Sequence, residues 1–176
     1  MKNTIISAAM LLSFSVIGMN ANAAEIQFSG AVTATSCTLE KGGNMIMQLP
    51  TFGINDVAEV GQHSGVTTVS AVATCPSATE DGLVTMSMVP NQSSFEGKVL
   101  KNTYIGGDAA KGVGIVVMGD DRQPLDFLDT AAKITAPMTG GVANIVVSAT
   151  YAKDGSGAEV EAGKVAAVLP FVMTYE

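Results

Sequence analysis

The chain has 176 residues with 16 acidic and 9 basic side chains, a formal net charge of −7, no Trp and 19 Gly. An acidic chain without a basic cluster argues against nucleic acid and against anionic membrane surfaces as partners. Its low charged fraction (14%) and its Val-, Ala-, Thr- and Gly-rich composition suit an all-β protein with many turns.

The N-terminus reads as a processing signal. Lys2 supplies a positive start, Ile5 to Gly18 form a short apolar run, and Ala21-Asn22-Ala23 is an A-x-A cleavage pattern. The run is too short to span a bilayer, so residues 1–23 are expected to be a cleaved secretory signal peptide. Removing 23 residues from 176 leaves 153, enough for one domain with its own core. Loss of Lys2 leaves 8 basic against 16 acidic side chains, a net charge of −8.

Ile26, Phe28, Gly30, Val32 and Ala34 alternate with Gln27, Ser29, Ala31 and Thr33, the period of a strand. Cys37 follows, and Cys75 is the second of two cysteines. In an exported protein a disulfide is the default, and the close C-x-x-C spacing of a redox pair is missing. A bridge closing this 38-residue separation is expected to contribute about 3–4 kcal/mol.

Further alternating segments are Met45–Leu49, Val69–Cys75, Val84–Met88 and Ile145–Tyr151. Val113–Met118 is a continuous apolar run, Val99–Ile105 a weaker candidate, and Ile134 a short piece beside a turn containing Pro137. Phe52–Gly65 and Lys153–Gly157 read as loops. The last fourteen residues, Gly163 to Glu176, carry the longest alternation: Val165, Ala167, Leu169, Phe171, Met173 and Tyr175 share one face. No segment holds a helical period over ten residues. Many short strands between turn signals point to an all-β sandwich in one domain.

Enzyme motifs are missing. His63, the single histidine, lies in the Gly-rich stretch GQHSG and reads as a solvated surface residue. Gly107 to Gly112 have P-loop glycine spacing, but Val113 follows where Lys is needed. Asp120, Asp121, Asp126 and Asp129 lack the spacing of an EF-hand and read as a solvated loop. The expectation is a protein that is not an enzyme, with no cofactor and no metal site.

With these residues in place, the chain resembles pilin subunits of the chaperone–usher pathway, the type 1 and P fimbrial class. The likeness is carried by IQFSGAVTATSC (Ile26 to Cys37), by the separation of Cys37 and Cys75, and by the C-terminus. There, Gly163 stands fourteen residues from the end, followed by alternating apolar residues and a penultimate Tyr175.

The resemblance implies an incomplete immunoglobulin-like β-sandwich completed by a donor strand from another subunit. It divides the chain into a signal peptide (1–23), an N-terminal donor-strand extension (24–35) and a pilin domain (36–176). Carried onto this sequence, the donor residues are Ile26, Phe28, Gly30, Val32 and Ala34. The acceptor groove and chaperone-binding strand run from Gly163 through Val165, Ala167, Leu169, Phe171, Met173 and Tyr175, with the Glu176 carboxylate as the group a chaperone's basic residues anchor. The implied partners are neighbouring pilin subunits, a periplasmic chaperone and an outer-membrane usher. The implied location is an extracellular fimbrium of a Gram-negative bacterium, reached through the periplasm, where the subunit supports cell adhesion. The alternative is a single-domain fimbrial adhesin or adaptor that binds a host glycan or receptor.

Two features depart from the family pattern. Only Ala24 and Glu25 precede Ile26, and Pro170 lies within the last strand. Its missing N–H either faces the groove, weakening pairing there, or faces the sheet, where a bulge is expected.

Overall fold

A computed structural model describes residues 24–31, 37–62, 65–76, 78, 80–129 and 132–176. The expected signal peptide, Val32, Ala34 and His63 lie outside the described residues. Among the described residues there is no α-helix, only short 3-10 turns at Glu40–Gly43 and Ile54–Asp56. No described helix is long and apolar enough to cross a membrane.

The strands form one hydrogen-bonded path that doubles over into two packed layers of a β-sandwich. In the first layer, β3 (Asn44–Leu49), β1 (Ala24–Ala31), β11 (Ala166–Tyr175), β5 (Gly82–Met88) and β9 (Lys133–Thr139) lie side by side in that order. In the second, β10 (Val142–Lys153) lies between β4 (Thr67–Thr74) and β8 (Val113–Met118). β2 (Thr38–Leu39) pairs with β4, and β7 (Val99–Lys101) and β6 (Phe95–Glu96) follow β8. The layers join at the β9–β10 hairpin, whose Gly140-Gly141 turn has positive φ at both positions, as a tight primed turn requires.

Period-two alternation makes the core. β3, β9 and β11 each bury every second residue, so their apolar faces meet one shared cluster with Ile115, Val117, Ile145 and Val147 of the other layer. β8 is the exception: all six residues are buried, which is why its sequence is apolar without alternation. Its outward Val116 and Met118 pack with Val99 and Ala152 in a second, small cluster.

Cys37 and Cys75 are disulfide-bonded, with Cα atoms 4.0 Å apart and both side chains buried. The bridge ties the start of β2 to the end of β4, next to the Thr38–Thr74 pairing. Three local expectations are corrected. The piece around Ile134 is a full strand, β9, and Pro137 lies inside it rather than in a turn. Proline is tolerated there because β9 is paired with β5 along its length, whereas pairing with β10 reaches only Met138 and Thr139. The segment after Val99 is strand only to Lys101, because it folds as the second arm of a short hairpin with Phe95–Glu96. Ile54–Asp56, within the expected loop, forms a 3-10 turn.

Candidate functional site: the slot between β3 and β11

The two terminal segments meet. β1 lies between β3 and β11, parallel to β11 over seven residue pairs and antiparallel to β3 over six. Ile26 faces Ala167 on one side and Met47 on the other; Phe28 faces Leu169 and Met45. Large residues of β1 thus sit beside an alternation of small and large residues of β11. Ile26 is 0% and Phe28 1% exposed, and Leu169, Phe171 and Met173 are buried beside them. Burial of side chains of this size is worth about 2–3 kcal/mol each. Gly30 stands opposite Phe171 in the register. Tyr175, at the end of β11, is only partly buried and packs against the core margin.

The pairing is made within one chain. The resemblance implies that β1 serves a neighbouring molecule; here it fills the slot of its own. The physical reason is the tether. β1 and β3 are antiparallel neighbours with only residues 32–43 between them in sequence, so a high local concentration of β1 is present at its own slot. The same pairing fixes the parallel direction relative to β11.

Pro170 does not weaken the slot. In a strand, the N–H and C=O of one residue point to the same side. The Pro170 carbonyl accepts from Val89 N at 2.8 Å, beyond the end of β5, whereas Val165 O accepts from Glu25 N at 3.3 Å, toward β1. The missing donor of Pro170 therefore faces β5, at the point where the β5 ladder ends with Phe171 opposite Met88.

The start of β11 is positioned by the loop after β7. Asn102 donates from Nδ2 to Ala110 O (3.0 Å) and Lys164 O (2.8 Å), and its Oδ1 accepts from Tyr104 N and Ala166 N, both at 3.0 Å. Gly163 is needed because a Cβ there would lie 2.5 Å from Asp108 O. Lys164 Nζ pairs with Asp108 Oδ2 at 2.9 Å and stands 5.4 Å from the Tyr104 ring centre. The hydrogen bond from Lys164 holds the Asp108 carboxyl below its ordinary range, and the same bond raises Lys164. The pair is solvent-exposed and contributes little to stability. At the other end, Glu176 N donates to Leu83 O (3.0 Å) and Leu83 N to Glu176 O (2.9 Å), which fixes the chain terminus beside β5.

Sequence reasoning missed Asn102 and Tyr151. Asn102 carries no pattern signal. Tyr151 ends the alternating run of β10, so its burial was legible, but its contact with Ala24 was not: Tyr151 Oη accepts from Ala24 N at 3.3 Å, across the sandwich. The acidic loop behaves as the sequence suggests, with Asp121 accepting from Gln123 N and Asp126 from Leu128 N in local turns. Among the described residues, no group of three or more His, Cys, Asp or Glu is arranged to hold a metal ion.

No curated protein matches the chain. Of the solved structures, the CupB6 tip adhesin from Pseudomonas aeruginosa is similar at 20% identity and a TM-score of 0.43, over 67% of this chain and 36% of its own. The chain thus spans little more than a third of that adhesin. A Burkholderia pseudomallei antigen and type I fimbria protein is similar at 18% identity and a TM-score of 0.42, over 81% of this chain and 90% of its own. A protein-family model described as "Fimbrial protein" matches residues 26–176. By that match the chain belongs to the fimbrial protein family, whose members are non-enzymatic proteins of surface appendages.

Proposed function

We propose that this chain is a structural subunit of a bacterial surface fimbria that polymerises by donor-strand exchange, β1 of one copy entering the slot between β3 and β11 of the next. The observation that carries the reading is the burial of Ile26 and Phe28 on a strand near one end of the chain, bonded on both edges in the interior of a sheet. A contact made by a terminal strand to its own domain can be made equally to a second copy, which is the logic of a swapped polymer. A vacated slot would expose the edges of β3 and β11 and an apolar floor, a hazard for aggregation. That hazard is the physical reason for a periplasmic chaperone that fills the slot in transit, and for an outer-membrane usher that receives the subunit at the surface of a Gram-negative cell. In this reading Ile26, Phe28, Gly30, Val32 and Ala34 are the donor set, and Val165 to Tyr175 the acceptor edge. The fibre then supports adhesion by extending a chain of such subunits from the cell.

The test is thermal unfolding of an oxidised chain lacking Ala24–Thr35, alone and with a peptide of that sequence. The expected result is a low midpoint that the peptide raises strongly. A stable shortened chain that ignores the peptide would remove donor-strand exchange and leave a free-standing sandwich.

A further inference from the structure

We infer that the Tyr151 hydroxyl is a latch that holds β1 in its own slot and so sets how readily the strand is given up to another copy. The inference rests on the reading of β1 as an exchangeable donor and adds the residue that controls its release. The two ends of β1 are held differently. Its far end, Ala31, leads within six residues to Cys37, which the disulfide fixes to Cys75. Opening from that side must move a segment anchored to β4. The end at Ala24 is remote from the disulfide, so the strand peels from there.

Ala24 is where the opposite layer reaches across. Its N–H donates to Tyr151 Oη at 3.3 Å, a bond between residues 127 apart in sequence. Tyr151 projects from β10, in the layer that does not contain β1. Its ring is held by Phe52, with ring centres 5.1 Å apart and planes inclined by 51°, so the hydroxyl is positioned by packing rather than free to swing. Ala24 itself is 1% exposed and stands opposite Leu49, the last residue of β3. Glu25 N, one residue further, turns to Val165 O on the β11 side. The latch thus holds the first nitrogen of the strand, a peptide amide in the full-length chain and the α-amino donor once residues 1–23 are removed, at the point where the β3 ladder runs out. Burial raises the pKa of Tyr151, which keeps the group a neutral hydroxyl through the physiological range.

The experiment compares the protein expressed from its full-length sequence with its Tyr151→Phe variant, which keeps the ring and the Phe52 contact and removes one oxygen. Two readouts are taken. The first is amide hydrogen exchange of the folded protein. Loss of one hydrogen bond at the strand end is expected to speed exchange at Glu25 to Phe28 by about fivefold. Amides of β4 and β8, which flank β10, should be unchanged. The second is uptake of a labelled peptide spanning Ala24–Thr35, expected to quicken by a similar factor. Equal loosening of β4, β8 and β1 would show that Tyr151 merely supports β10 and would overturn the latch. Unchanged exchange at Glu25 to Phe28 would also overturn it, and peptide uptake at equal rates by both proteins would then leave donor-strand exchange standing. If neither protein takes up peptide, the donor reading fails, and faster exchange confined to β1 would still establish the latch as a hold on the strand.

Discussion

Gly82 and Glu176 compete for one space: a Cβ on Gly82 would overlap the main-chain carbonyl oxygen of Glu176. The reciprocal hydrogen bonds between Leu83 and Glu176 hold the last residue there. The glycine at the head of β5 is therefore a positioning residue for the end of β11. The obstacle is held in place by the bond it accepts from Leu83 N rather than free to swing aside.

Gly82→Ala is expected to displace the Glu176 backbone and to cost about 1–3 kcal/mol. The check is the urea midpoint against that of Gly97→Ala, where a Cβ meets nothing within 4 Å but the backbone has φ of 55°. The control isolates overlap from backbone strain, since it carries strain alone.

The parity of β1 gives a second prediction. Phe28→Ala should destabilise the closed monomer by about 3–5 kcal/mol and Ile26→Ala by about 2–5 kcal/mol, as large-to-small changes at fully buried positions do. Gln27→Ala, on the outward face between Ile46 and Val168, should change stability by less than about 0.5 kcal/mol. Chemical denaturation of the three variants checks this. Equal effects at Gln27 and Phe28 would contradict the register.

The disulfide gives a third. Cys37→Ser with Cys75→Ser should lose about 3–4 kcal/mol, with the m-value for unfolding raised because the denatured chain is less compact without the cross-link. The loss should match that of the wild-type chain under reducing conditions, which is the internal check that the bridge and not the serine side chains is responsible.

Asn102→Ala should cost about 2 kcal/mol, because the change removes the side-chain acceptor of Ala166 N and Tyr104 N, while Lys164 O keeps its bond from Ala110 N. Amide exchange at Ala166 is the direct readout, and it should quicken before the β5-paired end of β11 does.

Tyr151 makes stability fall at alkaline pH. Its pKa is raised in the fold, chiefly by desolvation, so the unfolded chain loses the proton first. The contribution is fully present below the ordinary value of about 10 and is lost as pH rises through the higher folded value. In Tyr151→Phe this part of the alkaline decline should vanish while the decline due to other groups remains. Denaturant midpoints between pH 8 and 11.5 test it, and identical slopes in the two proteins would contradict it.

How much was legible in the sequence follows from the range of each cause. Alternation in β3, β10 and β11 is a local property, since successive side chains of any strand point to opposite faces, so the core residues there could be read directly. The unbroken apolar run Val113–Met118 was legible as a segment, and its burial on both sides is a finding of the fold. The two segments carrying the slot, Ile26–Gly30 and Val165–Tyr175, were legible as partners because each needs an apolar face covered and a backbone edge filled. Pro137 misled because a proline's fit depends on which edge of its strand lacks a neighbour, and that is set by β10 from another part of the chain.

The tertiary structure decided the rest. Which way β1 runs, and that it fills the slot of its own chain, go with its antiparallel pairing to β3, the strand close by in sequence, and not with the side chains of the strand. Whether Pro170 spoils the slot depends on the side to which its missing donor points, which only the ladder with β1 and the bond from Val89 reveal. The Tyr151–Ala24 contact joins residues from opposite layers, and no one-dimensional pattern encodes it. The sequence by itself determined most of the strands and their buried faces, the disulfide partners and the family likeness, because each of these rests on residue type and spacing along the chain. Edges, directions and contacts across the sandwich belong to the fold, because they depend on where distant segments meet.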